Sequence, residues 1–244
     1  MIRFIIVLLV VIFFLIFSLP IQLLLWIIGL INRNVGERIS RAIVCWALKV
    51  CTWLSGVELT VIGEENVPKD RPVLYISNHR SFYDIILTYA RVPRACGYIS
   101  KKSVKKVPSL STWMMLMNCI FLDRDDLKSG MDMLKKAIKH IEDGISIYVC
   151  PEGTRNKTDE PLLDFHAGTF KIAERTGCTV VPITMVNSEQ IFEAHLPKIK
   201  KAHVIIEYGK PIDTSEMSRA ERKKVCEMTH EIIKETYVKN LSLV

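Results

Sequence analysis

One short segment of the chain combines the residue types that general acid–base catalysis uses. It reads Ser77-Asn78-His79-Arg80-Ser81-Phe82-Tyr83-Asp84 and follows an apolar run, residues 72–77, that is typical of a buried strand. A helix beginning near Ser81 places Asp84 in its first turn, where the carboxylate can fold back toward His79. Such a carboxylate fixes the tautomer of the imidazole and leaves the other ring nitrogen free to take a proton.

The residues alone leave two interpretations of this pair open. No serine or cysteine is obviously placed beside His79 as a nucleophile, so the pair suits direct deprotonation of a substrate hydroxyl. A loop histidine that is hydrogen-bonded to Asp84 for structural reasons is the alternative. In parallel α/β sheets ligands bind outside the carboxyl ends of strands, which is where His79 is predicted to lie.

A second cluster, Cys150-Pro151-Glu152-Gly153-Thr154-Arg155, follows another predicted strand, residues 145–149. Gly153 allows the backbone to turn and to approach a ligand closely. The guanidinium of Arg155 has the planar geometry that binds a phosphate in bidentate fashion. Without further context, the same residues also fit a turn with a surface arginine.

A third group of residues is basic. Lys101 and Lys102 follow a predicted strand, and Arg124 ends the stretch Ile120-Phe121-Leu122-Asp123-Arg124. A run of lysines is usually a solvated face, but its place at a strand end leaves a phosphate-binding role open.

The elements that must position these clusters alternate between strands and helices. This order predicts an α/β domain with a mostly parallel sheet sandwiched by helices. We place this domain at residues 56–244, after an N-terminal membrane anchor at residues 1–55. Strands are predicted at residues 57–62, 72–77, 96–100, 119–122, 145–149, 180–183 and 203–208, and helices at 81–90, 127–141, 170–176 and from the capping box Ser218–Glu221 onward.

The anchor is predicted from an apolar run at residues 4–31 that contains no ionisable side chain. The run is too long for the apolar region of a signal peptide, and Pro20 should kink or divide it. A second, amphipathic helix follows at residues 35–54, with Trp46 and Trp53 among its apolar positions. Either the first helix spans the bilayer, or both helices dip into one leaflet as a hairpin, which we favour.

The charge distribution and the cysteine content limit where the chain can lie and which ligands it can bind. The short N-terminal tail carries only Arg3, whereas basic residues cluster after the apolar run, so the positive-inside rule puts the large domain on the cytoplasmic side of the cell membrane. We assign part of the net charge of +7 to contacts with anionic membrane lipids, not to nucleic acid. The seven cysteines are scattered and form no CxxC pair, which argues against a disulfide framework or a metal site.

The four blocks NHRSFYD, IFLDR, PEGTR and VVPI occur in this order between residues 55 and 212. Together they resemble the membrane-associated glycerolipid acyltransferases, and most closely the bacterial 1-acylglycerol-3-phosphate acyltransferases. The resemblance implies transfer of an acyl group from acyl-CoA or acyl carrier protein to the 2-hydroxyl of a lysophospholipid, giving phosphatidic acid, with no cofactor, no metal and no acyl-enzyme.

The resemblance also implies roles for individual residues. His79 is then the general base and Asp84 its partner. Residues Glu152, Gly153, Thr154 and Arg155 match the block that binds the acceptor, and Arg124, Lys101 and Lys102 match positions associated with its phosphate. The chain departs from the common pattern at Ser111, Asn118, Cys150, Asn156 and His166, which bears on acceptor and chain preference and not on the reaction.

Three alternatives remain. Within the family, the acceptor is glycerol 3-phosphate or another lysolipid. Outside it, the chain is a thiol hydrolase with Cys150 as nucleophile and His79 as base, or a non-catalytic membrane-binding domain. Cys150 directly precedes Pro151, with no helix N-terminus after it to lower its pKa, which argues against the hydrolase.

Overall fold

The computed structural model describes residues 1–244 and confirms the predicted α/β fold. A seven-stranded sheet has helices on both of its faces. The strands are β1 (Glu58–Ile62), β2 (Val73–Ser77), β3 (Cys96–Lys101), β4 (Ile120–Leu122), β5 (Ser146–Val149), β6 (Thr179–Val186) and β7 (His203–Tyr208). The helices are α1 (Ile2–Phe17), α2 (Leu19–Ile31), α3 (Arg33–Ser55), α4 (Tyr83–Tyr89), α5 (Pro108–Leu116), α6 (Leu127–Glu142), α7 (Lys171–Thr176) and α8 (Arg219–Leu241).

The sheet has the order β1-β7-β6-β2-β5-β3-β4, and every neighbouring pair is parallel except β6 and β7. All seven strands were predicted, and β6 is longer than predicted at both ends. Because β6, β2, β5, β3 and β4 run in the same direction, their carboxyl ends lie along one edge. This edge receives all three clusters of polar residues.

Alternation along β2 divides the core into two layers. Val73 and Tyr75 face a cluster formed with α3, α4 and α5, whereas Leu74 and Ile76 face a cluster formed with α6, α7 and α8. All four of these strand residues are buried, as expected for a strand covered on both faces. The His79 segment therefore begins at the end of a strand that is packed on both faces.

The apolar N-terminal run is divided into α1 and α2, which meet at Ser18 with a bend of 50°. Pro20 occupies the first turn of α2, where its missing N–H costs no helical hydrogen bond. No single helix of the chain is both long and apolar enough to cross a membrane, although the bent pair meets that test by length and composition. The third helix, α3, contains the predicted amphipathic segment.

Helix α5 was not predicted, and it joins the N-terminal helices to the rest of the molecule. The indole N–H of Trp113 donates to Ser18 Oγ at the bend (2.9 Å), and the Gln22 amide donates to Ser109 Oγ (2.8 Å). The rings of Phe4 and Phe192 also stack, with centroids 5.6 Å apart. One apolar core continues across the proposed division at residue 55.

Candidate active site

The His79–Asp84 pair forms the centre of the site, and the structure brings the two side chains into contact as the spacing predicts. Helix α4 begins at Tyr83, so Asp84 lies in its first turn. Asp84 Oδ2 lies 2.8 Å from His79 Nδ1. Because a carboxylate only accepts hydrogen bonds, Nδ1 is the donor. The ring of His79 remains 17% exposed, and its Nε2 has no hydrogen-bond partner within the protein.

The Asp84 carboxylate is fully buried and is satisfied by four donors. Besides His79, Oδ2 accepts from the backbone N–H groups of Arg80 (2.8 Å) and Ser81 (2.9 Å), and Oδ1 accepts from the hydroxyl of Ser188. These hydrogen bonds offset the cost of burying a charge. Asp84 therefore holds the imidazole in one orientation, and Ser188, which follows β6, is a site residue that the sequence did not single out.

The side chain of Glu152 binds the backbone of the protein and does not face an open site. Its side chain is buried, Oε1 accepts from the backbone N–H of His79 (2.7 Å), and Oε2 accepts from the backbone N–H of Leu163 (3.0 Å). Burial raises the pKa of this carboxyl to about 7, and the two backbone hydrogen bonds act in the opposite direction. One oxygen thus joins the loop of residues 150–166 to the His79 segment, and the other holds that loop to itself.

The segments around His79 and Arg155 are joined by further backbone contacts. The N–H of Asn156 donates to the carbonyl of His79 (2.7 Å), so both backbone polar groups of His79 are held by the PEGTR loop. The guanidinium of Arg80 donates to the carbonyls of Thr158 and Glu160, both at 3.0 Å. Arg80 is therefore occupied in fixing the loop that follows the PEGTR block.

Arg155 lies beside the start of α4. Its Nη1 donates to Glu193 Oε1 (3.0 Å), and its guanidinium lies over the ring of Phe82, 3.9 Å from the centroid. Its Nε and Nη2 have no partner within the protein. Gly153 has φ +70°, and the ring of His166 lies directly over it. Thr154 is exposed.

The predicted basic residues lie at the carboxyl ends of β3 and β4. Lys102 Nζ donates to Asp123 Oδ2 (3.2 Å), and this hydrogen bond lowers the pKa of the Asp123 carboxyl. Lys101 and Arg124 are exposed and make no hydrogen bond or ion pair within the protein. Because β3 and β4 continue the parallel part of the sheet from β2 and β5, these cations share an edge with His79.

Cys150 does not have the surroundings of a nucleophile. Burial raises the pKa of its thiol well above the usual range, and Asp84 and Glu152 raise it further. Its Sγ donates to the carbonyl of Asn78 (3.9 Å) and makes no hydrogen bond to the His79 ring. A thiol that resists ionisation is a poor nucleophile, which argues against the hydrolase interpretation.

Comparisons with known proteins identify the family of the chain. The family model described as acyltransferase matches residues 58–186. A 1-acyl-sn-glycerol-3-phosphate acyltransferase of Borreliella burgdorferi is 30% identical over 210 residues, covering 85% of this chain and 81% of that protein. The enzyme of the same name from Saccharomyces cerevisiae is 32% identical over 166 residues, and the match spans 67% of this chain but only 54% of the yeast protein.

The fold also has a counterpart among solved structures. The crystal structure of the 1-acyl-sn-glycerophosphate acyltransferase PlsC from Thermotoga maritima superposes with a TM-score of 0.82 at 22% sequence identity. The superposition covers 98% of this chain and 94% of that one, so it includes the N-terminal helices as well as the sheet.

Proposed function

The chain belongs to the acyltransferase family, and we propose that it transfers a fatty acyl group from a thioester donor to the 2-hydroxyl of 1-acylglycerol 3-phosphate, giving phosphatidic acid. The donor is acyl-CoA or acyl carrier protein. The observation that carries the proposal is the 2.8 Å contact between His79 Nδ1 and Asp84, together with an Nε2 that no protein group occupies.

This geometry supports general-base catalysis, which proceeds in the following steps. His79 Nε2 takes the proton of the acceptor hydroxyl as its oxygen attacks the thioester carbonyl carbon. The C–S bond then breaks, and the thiolate leaves and takes the proton back from the imidazolium. Asp84 stabilises the imidazolium in between, and no side chain of the protein becomes acylated.

Cations near the site support a phosphorylated acceptor. Arg155 presents two unused nitrogens, and Lys101 and Arg124 lie unpaired on the same edge of the sheet. Arg155 holds the phosphate in bidentate fashion, and the other two residues and Lys102 supply positive charge around it. Glu152 acts indirectly by holding the backbone of His79, and Gly153 keeps the loop in the conformation that this requires.

The N-terminal helices supply the contact with the membrane in which the acceptor resides. Trp46 and Trp53 of α3, which lie two turns apart on one face, are 63% and 78% exposed, and most apolar residues of α1 and α2 are also exposed. Moving the acyl chain of the acceptor into water costs about 0.8 kcal/mol per CH₂. An enzyme docked through these residues on the cytoplasmic side avoids that cost, because the acyl tail stays in the bilayer.

The decisive experiment uses the purified 244-residue chain with lipid vesicles. Lysophosphatidic acid, glycerol 3-phosphate and lysophosphatidylcholine are each offered with acyl-CoA or acyl carrier protein as donor, and the products are identified by mass. Phosphatidic acid formed from lysophosphatidic acid supports the proposal. Turnover of glycerol 3-phosphate alone would reassign the acceptor, and no turnover with any pair would contradict the enzymatic function.

A further inference from the structure

Glu193 lies outside every sequence block discussed above, yet it contacts two of them. It follows β6 in a short helical turn, Glu193–His195, and its side chain is only 15% exposed. Its Oε1 accepts from Arg155 Nη1 (3.0 Å) and from the backbone N–H of Phe82 (2.8 Å). Its Oε2 accepts from the hydroxyl of Ser81 (2.6 Å).

These contacts hold the Arg155 guanidinium on two sides. Glu193 binds one edge of the planar group, and the ring of Phe82 covers one face. The remaining edge, with Nε and Nη2, is left without a protein partner. A long arginine side chain loses considerable rotamer freedom on binding, so a guanidinium that is already fixed binds a phosphate more tightly.

The same carboxylate also holds the start of α4. Ser81 and Phe82 are the two residues before Tyr83, where the helix begins, and the N–H of Ser81 is one of the donors to Asp84. A single side chain therefore spans the segment that orients His79 and the arginine that faces the acceptor.

We propose that Glu193 is a positioning residue for the phosphate of the acceptor. It orients Arg155 so that the free Nε and Nη2 face the phosphate. Because the same carboxylate also binds the start of α4, Arg155 is held at a fixed position relative to that helix, and the hydroxyl of the bound acceptor reaches His79. The inference rests on the proposed function, because it requires an acceptor that carries a phosphate.

Two substitutions separate the shape of this side chain from its charge. Glu193→Ala removes all three contacts. Glu193→Gln keeps a carbonyl oxygen that can accept from Arg155 and from the N–H of Phe82. Its NH₂ group can donate to the hydroxyl oxygen of Ser81. For Glu193→Ala we expect the KM for lysophosphatidic acid to rise about tenfold while the KM for the thioester stays within twofold, and for Glu193→Gln we expect most of the acceptor affinity to return.

A matched control breaks a similar ion pair elsewhere. Glu64 lies 3.0 Å from Arg91 Nη1, and it follows β1, which runs opposite to β2, so that this pair lies at the other edge of the sheet. Glu64→Ala should leave both KM values unchanged. If Glu193→Ala does not fold, Glu193→Asp replaces it, because the shorter side chain cannot keep all three contacts.

Two further measurements test whether Glu193 acts through Arg155 and the phosphate. In an Arg155→Ala background, Glu193→Ala should change the acceptor KM less than twofold. With 1-monoacylglycerol, which lacks the phosphate, Glu193→Ala should lower kcat/KM much less than it does with lysophosphatidic acid. Full additivity with Arg155→Ala, equal losses on both acceptors, or an unchanged acceptor KM would each overturn the inference.

The wild-type protein separates this inference from the proposed function. If wild type turns over glycerol 3-phosphate in place of lysophosphatidic acid, the same variants are compared on that phosphorylated acceptor. A wild-type enzyme that turns over no phosphorylated acceptor would overturn the proposed function itself, whereas normal wild-type turnover with no effect of Glu193→Ala would overturn only the role of Glu193.

Discussion

The backbone N–H of His79 donates to Oε1 of Glu152 over 2.7 Å, so the residue that we propose as the general base is held directly by the PEGTR loop. The carbonyl of His79 is held by the same loop, through the N–H of Asn156. A change in the loop that bears Arg155 is therefore transmitted to the backbone of His79. Substitutions in the PEGTR block should affect kcat as well as acceptor binding for this reason.

Replacement of His79 by alanine should abolish turnover without unfolding the protein. A general base contributes about 10² to 10⁴-fold, and His79→Ala should lose at least the lower value in kcat. Asp84→Ala should lose less, because in the proposed mechanism Asp84 orients and stabilises His79 but does not itself take the proton from the acceptor hydroxyl. Circular dichroism checks the fold, and a loss below tenfold for His79→Ala would contradict the mechanism.

Arg155→Lys should impair acceptor binding although it keeps the charge. Lysine lacks the planar fork and cannot keep both the contact to Glu193 and the stacking on Phe82. We expect the KM for lysophosphatidic acid to rise about tenfold, equivalent to about 1.4 kcal/mol, with a nearly constant KM for the thioester. Arg219→Lys, at an exposed position of α8, is the control, and an effect confined to the thioester would reverse the assignment.

Glu152 should make the stability of the fold depend on pH. Its folded pKa of about 7 lies above the ordinary value of 4.5, so the folded protein binds this proton more tightly than the unfolded chain. The resulting stabilisation is complete below pH 4.5 and is lost as the pH rises through 7. The difference amounts to on the order of 3 kcal/mol.

Glu152→Gln tests this dependence because glutamine does not ionise. Thermal unfolding of both proteins between pH 5 and pH 8 should show a Tm that falls with rising pH more steeply for wild type than for Glu152→Gln. Parallel curves would contradict the raised pKa. Activity measured on the same samples reports how far the hydrogen bond from Glu152 to the His79 backbone matters for turnover.

Gly153→Ala should lower activity through the backbone. Gly153 has φ +70°, where a side chain costs about 1–2 kcal/mol, and an added Cβ would lie 3.0 Å from the ring of His166. The loop should shift Arg155 and reduce kcat/KM at least tenfold. Gly168→Ala is the matched control, because a Cβ at that position meets no atom within 4 Å. Equal activity of the two variants would contradict the requirement for glycine at position 153.

Trp46 and Trp53 should dominate attachment to membranes. Both are highly exposed, so replacement by serine should leave the fold intact and weaken binding to anionic vesicles by at least about tenfold. Co-sedimentation with vesicles measures the change. Leu243→Ser, at an exposed apolar position near the C-terminus, is the control and should bind vesicles like wild type. Unchanged binding of the tryptophan variants would contradict membrane attachment through Trp46 and Trp53.

Local patterns determined much of this protein. Each strand was predicted from a short apolar or alternating run, and the capping box of Ser218 and Glu221 at the start of α8 is present as predicted. The contact between His79 and Asp84 was also predictable, because five residues and one helical turn fix where the carboxylate lies. These features depend on neighbours in the sequence, and the sequence therefore encodes them directly.

The tertiary structure decided the partners that lie far away along the chain. Ser188 and Glu193 reach Asp84 and Arg155 only because β6 pairs with β2, an order of strands that no local pattern specifies. Helix α5 was not predicted for a related reason. The indole N–H of its buried Trp113 finds its acceptor at the bend between α1 and α2, and the helix shows no amphipathic pattern of its own in the sequence. A hydrogen bond between distant residues depends on the packing of whole elements, so only the folded chain reveals which polar groups remain free to meet a substrate.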